Sequence, residues 1–99
     1  MSHITSRATL LQRDLALGEA ADLLLGMHRA IGDGPARRIF VEDALSRLRP
    51  LATSGGALEA VLARGTDRLY RAPELALDAI VVALGEVTEA RQAVCARMA

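Results

Sequence analysis

The sequence has no tryptophan and no lysine, and it contains only one cysteine, Cys95, and two aromatic residues, Phe40 and Tyr70. A single cysteine excludes a disulfide within the chain and suits a reducing compartment. Charges such as Asp14 and Asp22 interrupt every candidate for the run of about 18 apolar residues that a transmembrane helix needs. The N-terminus, MSHITSRATLL, also lacks the apolar run of a signal peptide. We therefore expect a cytoplasmic protein.

An excess of charge of one sign is also missing. Twelve basic and twelve acidic residues give a formal net charge of zero. Nucleic-acid binding depends on a basic excess on one face, so the composition argues against a nucleic-acid partner. A protein without net charge has little repulsion between molecules. We therefore expect it to associate, either as a dimer or in a complex with another protein.

The residues that are abundant favour helices. Hydrophobic residues make up 52% of the chain and are mostly Leu, Ala and Val, of which Leu and Ala are strong helix formers. Ninety-nine residues suit one domain, since domains most often have roughly 100–150 residues. We therefore predict a single helical domain over residues 1–99, with residues 1–6 frayed and a thin core.

The first predicted helix covers residues 7–31 and is capped by Thr5 or Ser6. A break near Gly18 is plausible, whereas Gly26 indicates a close contact with another helix. The apolar residues that recur at helical spacing are Leu10, Leu11, Leu15, Leu17, Ala21, Leu24, Leu25 and Ile31.

Gly32 to Pro35 is the clearest turn signal in the chain. Gly32 can adopt the left-handed conformation that ends a helix, and Pro35 suits the first turn of the next one. The second helix then runs to about Arg49, because Pro50 disfavours helical geometry at the residue before it. Its predicted buried face consists of Ala36, Phe40, Val41, Ala44, Leu45 and Leu48.

A loop at residues 53–56 precedes a short third helix, residues 57–64, which Gly65 ends. Residues 66–71 fit either an irregular turn or a short helical segment. Pro73 opens a long last helix that reaches about residue 97. Its predicted inward line is Ala76, Ile80, Ala83, Val87, Ala90 and Val94. The fold class is therefore all-α: four helices in antiparallel hairpins, the last one long.

No catalytic or metal-binding signature is present. The two histidines and the cysteine are far apart, and there is no H-x-x-E or C-x-x-C pair. Catalysis by Cys95 would need a neighbouring base, and His3 lies on the N-terminal tail. We expect no enzyme activity, no metal and no cofactor.

His28 carries a chemical alternative. Together with Gly32 it resembles the H-x-x-K-G core of bacterial phosphotransfer bundles, with Ile31 at the lysine position. That resemblance implies signalling through a phosphoryl group on the His28 ring nitrogen. A histidine near a helix C-terminus is also favoured by the helix dipole without any such function.

The stretch from Leu25 to Pro50 resembles a tetratricopeptide-type helical hairpin. The residues that carry the resemblance are Leu25-Gly26, Gly32-Asp33, Ala36, Phe40, Ala44-Leu45 and Pro50. Small cytosolic proteins with such hairpins look like the chaperones of type III secretion. The resemblance implies a chaperone that sequesters an amphipathic helix of a bacterial secretion subunit until export.

The wide apolar face of the last helix favours the same kind of function, because such a face can form a groove for a partner's helix. The residues expected to contact the partner are Phe40, Leu77, Val81, Leu84, Val87 and Val94. The same face could instead pair with a second copy of the chain in a homo-oligomeric helical protein. Each of these residues could also belong to the domain's own core.

Overall fold

The structure, a computed structural model, describes residues 6–52 and 56–98, and these residues form helices joined by short turns, without a strand. The four helices are α1 (Arg7–Asp33), α2 (Arg38–Leu48), α3 (Ala57–Arg71) and α4 (Pro73–Met98). The predicted all-α fold class is therefore confirmed. Of residues 1–6, for which fraying is predicted, residues 1–5 lie outside the described residues, as do residues 53–55 of the predicted loop at residues 53–56.

Two of the three sequence signals in α1 are confirmed. Ser6 is the N-cap, and its side chain accepts a hydrogen bond from the Thr9 N–H at 3.1 Å. A Cβ at Gly26 would lie 2.7 Å from Cζ of Phe40, so this glycine does mark a close contact between helices. The plausible break at Gly18 is wrong, because α1 continues through it. Gly18 instead leaves room for the guanidinium of Arg91, whose Nη1 would lie 3.1 Å from an added Cβ.

The turn after α1 is displaced from its predicted position. Gly32 remains within α1, and Gly34 has the positive φ, 100°. The prediction for Gly32 was therefore wrong, because two permissive glycines two residues apart cannot be distinguished by type alone. Pro35 opens a single 3-10 turn, Pro35–Arg37, that leads into α2, which agrees with its predicted place at the start of a helical segment.

Gly65 divides α3 into two helical segments, residues 57–64 and 66–71, that meet at a kink. Its φ of 71° and ψ of 168° are not helical, yet the helix continues to Arg71. Leu69, in the segment after Gly65, is fully buried, and this packing explains why residues 66–71 are helical. The predicted end of a helical segment at Gly65 is therefore confirmed, and residues 66–71 form the short helical segment that was one of their two predicted alternatives.

The four helices form an antiparallel ring in which each helix packs against its chain neighbours and α1 also packs against α4. The long helices α1 and α4 have 27 and 26 residues, whereas α2 and α3 have 11 and 15. At 1.5 Å per residue, α1 and α4 are each about 40 Å long, α2 is about 16 Å and α3 about 22 Å. The short helices therefore cover only about half of the long pair, and the molecule is elongated, 50 Å by 21 Å by 19 Å.

The main core lies where all four helices are present. Its largest fully buried side chains are Leu24, Met27, Leu48, Leu69, Ile80, Val41 and Val61. Five of the six residues on the predicted inward line of α4 are buried, namely Ala76, Ile80, Ala83, Val87 and Val94.

Several residues predicted to face inward are exposed instead. On α1 these are Leu11, Leu15 and Leu25. Ala36 lies in the 3-10 turn before α2, Phe40 on α2 and Ala90 on α4. The leucines of α1 occur around the whole helix, so their spacing did not identify the buried side. Phe40 lies at the edge of α2 against Gly26. Ala90 lies beyond the N-terminal end of α3, where no described helix covers it.

Candidate functional site

The clearest cavity is a groove on the inner side of α1 and α4, next to the short helices. It has a volume of about 640 Å³. We call it the open groove. Its lining residues are Arg13, Ala16, Leu17, Ala20, Pro50, Leu51, Gly56, Leu58, Glu86, Val87, Ala90, Ala93, Val94 and Arg97.

The open groove exists because the short helices end halfway along the long ones. The backbone N–H of Ala57, the first residue of α3, donates to Oε2 of Glu86 at 2.6 Å. This bond fixes the start of α3 at the level of Glu86, since a carboxylate satisfies an unpaired N–H and complements the dipole at a helix N-terminus. Beyond that level, α4 has about 16 Å of inner surface between residues 86 and 97, which corresponds to three turns of a helix.

The floor of the groove consists of small and branched apolar side chains. Four alanines line it, namely Ala16, Ala20, Ala90 and Ala93. Alanines at a helix surface allow a neighbouring backbone to approach closely. Leu17 lies half-buried beside them, and Val87 and Val94 are packed into the floor with 6% and 4% of their surface exposed, so the floor can accept both the backbone and the apolar side chains of a helix.

Among the described residues that line the open groove, charges lie only at its two ends. Glu86 lies at the closed end, next to α3, and its carboxylate is engaged by Ala57. Arg13 on α1 and Arg97 on α4 lie towards the free ends of the long helices. The groove is therefore apolar along its length and cationic at its open end.

A polar clamp connects the long helices beside the groove. Arg91 Nε donates to Oδ1 of Asp14 at 2.8 Å, and the Sγ of Cys95 lies 3.6 Å from the same oxygen. The hydrogen bond from Arg91 lowers the pKa of the Asp14 carboxyl group below its ordinary value, against the opposing effect of burial. Gly18 leaves the space that Arg91 needs. The clamp holds α1 and α4 together where α2 and α3 do not reach.

Two of the six residues predicted to contact a partner lie in the open groove, namely Val87 and Val94. Leu77 and Leu84 are partly buried against the main core, and Val81 is 54% exposed on α4 outside the groove. Phe40 lines a separate, shallow depression of about 240 Å³ beside Gly26. The structure therefore does not bring the six residues together.

The α1 side of the open groove was missed at the sequence level. Arg13, Ala16, Leu17 and Ala20 follow one another at spacings of three, one and three residues and form one face of the helix. The signal that could have revealed them is the difference in predicted length between the helices, because two short helices cannot cover two long ones.

The residues considered for chemistry remain apart. His28 is half-buried on α1, and no described residue forms a hydrogen bond or ion pair with it. Within residues 6–52 and 56–98, no three His, Cys, Asp or Glu side chains come together to hold a metal ion. None of the helices described has both the length and the apolar character needed to cross a membrane.

Comparison with known proteins finds no family model, no curated protein and no solved structure that matches the chain. The fold and the groove define the class of the molecule, which is a small antiparallel four-helix domain in which the described helices leave one half of the inner surface uncovered. The resemblances to tetratricopeptide hairpins and to phosphotransfer bundles stay predictions.

Proposed function

We propose that this chain is a non-enzymatic protein-interaction module that buries an amphipathic helix of another protein in the open groove. The observation that carries the proposal is the uncovered inner face of α1 and α4, an apolar groove of about 640 Å³ beside the main core. A helix laid along it would continue the bundle where α2 and α3 end. Helix-in-groove binding is a general mode of recognition in which apolar residues at helical spacing anchor the partner.

The dimensions of the groove suit about three turns of a helix, which present about three apolar anchors to it. Burying three large apolar side chains contributes roughly 4–9 kcal/mol, and association costs at least about 4 kcal/mol of this. The margin is small. A single charge in the floor, which a bound helix would have to desolvate, is therefore enough to abolish binding.

The biological setting that we propose is that of a small cytoplasmic adaptor or secretion-type chaperone of a bacterium. Such a protein keeps an exposed amphipathic helix of its client from aggregating until the client is assembled or exported. The resemblance of residues 25–50 to a tetratricopeptide-type hairpin supports this setting, as does the apolar groove.

The test compares two variants with the same change of charge. Ala90→Glu puts a carboxylate into the groove, whereas Gln92→Glu, the control, changes an exposed residue of the same helix that does not line it. The probe is a labelled helical peptide of about four turns with a Leu/Ala stripe and uncharged Gln and Ser elsewhere, and binding is measured by fluorescence anisotropy.

We expect the wild type and Gln92→Glu to bind the peptide equally and Ala90→Glu to lose binding by at least about tenfold, with unchanged circular dichroism in all three proteins. Equal binding by all three proteins would place the helix site elsewhere. Absence of binding to the wild type would contradict the proposal. Light scattering of the free chain identifies the competing occupant, since a stable dimer that Ala90→Glu dissociates would mean that a second copy fills the groove.

A further inference from the structure

We infer that the open groove selects an acidic amphipathic helix, whose carboxylates flank its apolar stripe and pair with Arg13 and Arg97. This inference rests on the proposed function and specifies the chemistry of the partner. It is carried by the charges that line the groove, of which only one is satisfied within the described part of the chain.

Arg13 and Arg97 line the open groove and, like most arginines in the described part of the chain, have no ion-pair partner. Arg38, Arg47 and Arg91 each pair with a carboxylate, namely Asp67, Asp43 and Asp14 in that order. Among the described residues, neither Arg13 nor Arg97 forms an ion pair or a side-chain hydrogen bond.

The placement of the two arginines suits a ligand in the groove. Arg13 precedes Ala16 and Leu17 on the α1 wall by one turn, and Arg97 follows Ala93 and Val94 on the α4 wall by one turn. A helix on the apolar floor therefore has one guanidinium group on each side. The apolar stems of arginine side chains can cover part of the helix while their charged ends reach its polar flanks.

The charges also favour one direction for the bound helix. Glu86 marks the closed end and the two arginines mark the open end, about 16 Å farther along α4. The C-terminus of a helix carries a partial negative charge and its N-terminus a partial positive charge. The bound helix is therefore expected to run parallel to α4, with its C-terminus and its acidic residues at the open end.

The same charges argue against a second copy of the chain as the occupant. Two copies that meet through the same groove form an isologous contact, in which each contributes the same surface. When the two grooves run parallel, that contact brings Arg13 and Arg97 of one copy towards the same arginines of the other, and like charges that face each other disfavour association. When the grooves run antiparallel, the arginines face Glu86 of the other copy, whose carboxylate already accepts a hydrogen bond from Ala57. A different protein with carboxylates at these positions avoids this repulsion.

The experiment uses two labelled peptides with the same Leu/Ala stripe, one with Glu and one with Lys on its flanks. They are titrated into the wild type, into Arg13→Glu/Arg97→Glu, and into Arg29→Glu/Arg71→Glu, a control with the same net charge whose changed residues lie outside the groove. Anisotropy is measured at low salt and again at about 1 M salt, where screening acts over about 3 Å.

We expect the wild type and the control to prefer the Glu peptide by about three- to tenfold at low salt. Arg13→Glu/Arg97→Glu should prefer the Lys peptide, and the preferences should shrink at high salt. Equal binding of both peptides to all three proteins would overturn the charge selection while leaving the proposed function standing. If the folded wild type bound neither these two peptides nor the uncharged peptide, the result would contradict both the proposed function and the charge selection. A dimer that the arginine reversal leaves intact would overturn the argument against a second copy.

Discussion

Leu24 and Leu25 are adjacent leucines of α1 with opposite environments, and they allow a controlled test of the orientation of this helix. Leu24 is 0% exposed in the main core, whereas Leu25 is 51% exposed. Replacing either by Ala changes the intrinsic helix propensity by the same amount, so this contribution cancels in the comparison. The difference between the two variants therefore reports burial alone.

The expected magnitudes follow from the two exposures. Leu→Ala removes three carbon groups, worth about 0.8 kcal/mol each when fully buried. The cavity left behind brings the cost at Leu24 to about 3–5 kcal/mol. At Leu25 about half of the transfer energy is already absent and no closed cavity forms, so the cost is about 1 kcal/mol. A domain of this size has a free energy of unfolding of about 5–15 kcal/mol, so Leu24→Ala removes a large share of it.

The assay is thermal and urea unfolding followed by circular dichroism at one protein concentration. A difference of about 2–4 kcal/mol corresponds to a separation of roughly 10–25 °C between the midpoints of the two variants. Equal losses, or a larger loss at Leu25, would refute the orientation of α1. The groove would be refuted with it, because Leu17, Ala20 and Leu24 share the inner face.

Two further predictions concern the turn after α1 and the polar clamp. Gly34→Ala should lower the free energy of unfolding by about 1 kcal/mol, because its φ of 100° strains an L residue. Gly32→Ala, within the helix and free of steric contact, should raise it by up to about 1 kcal/mol; urea unfolding that gave the opposite order would place the turn at Gly32. Arg91 lowers the pKa of the Asp14 carboxyl group in the folded state. The pair between Asp14 and Arg91 therefore stabilises the fold fully above the unfolded pKa of Asp14, about 3.9. This stabilisation is lost as the pH falls through the lower folded pKa. The wild type should therefore lose stability more steeply than Asp14→Asn in acid, and parallel losses in urea titrations over a pH series would contradict the clamp.

Local signals in the sequence predicted much of the fold. Ser6 predicted the start of α1 because its hydroxyl can accept an unpaired backbone N–H. Spacing alone predicted five buried residues of α4, since Ala76, Ile80 and Ala83 recur at the four- and three-residue steps that place side chains on one face of a helix. The orientation of α1 could not be predicted in the same way, because three successive leucines, residues 23–25, place apolar side chains on several sides of the helix.

The candidate site was less predictable than the fold. Val87 and Val94 were identified from the apolar face of α4, and both line the groove. The α1 wall was missed because a groove is formed by two helices together and depends on where their neighbours end. The bond between Ala57 and Glu86, 29 residues apart, sets that level, and a contact over such a distance has no signal in local spacing.

The central claim is that the inner face of α1 and α4 receives a helix from another protein. The most direct measurement is a methyl NMR titration of the chain, labelled at Ala, Leu and Val, with the uncharged amphipathic peptide. We predict that the signals of Leu17, Val87, Ala90 and Val94 shift on binding. Shifts confined to Leu11, Leu15 and Val81, which are exposed outside the groove, would contradict the claim and assign binding to a different face of the long helices.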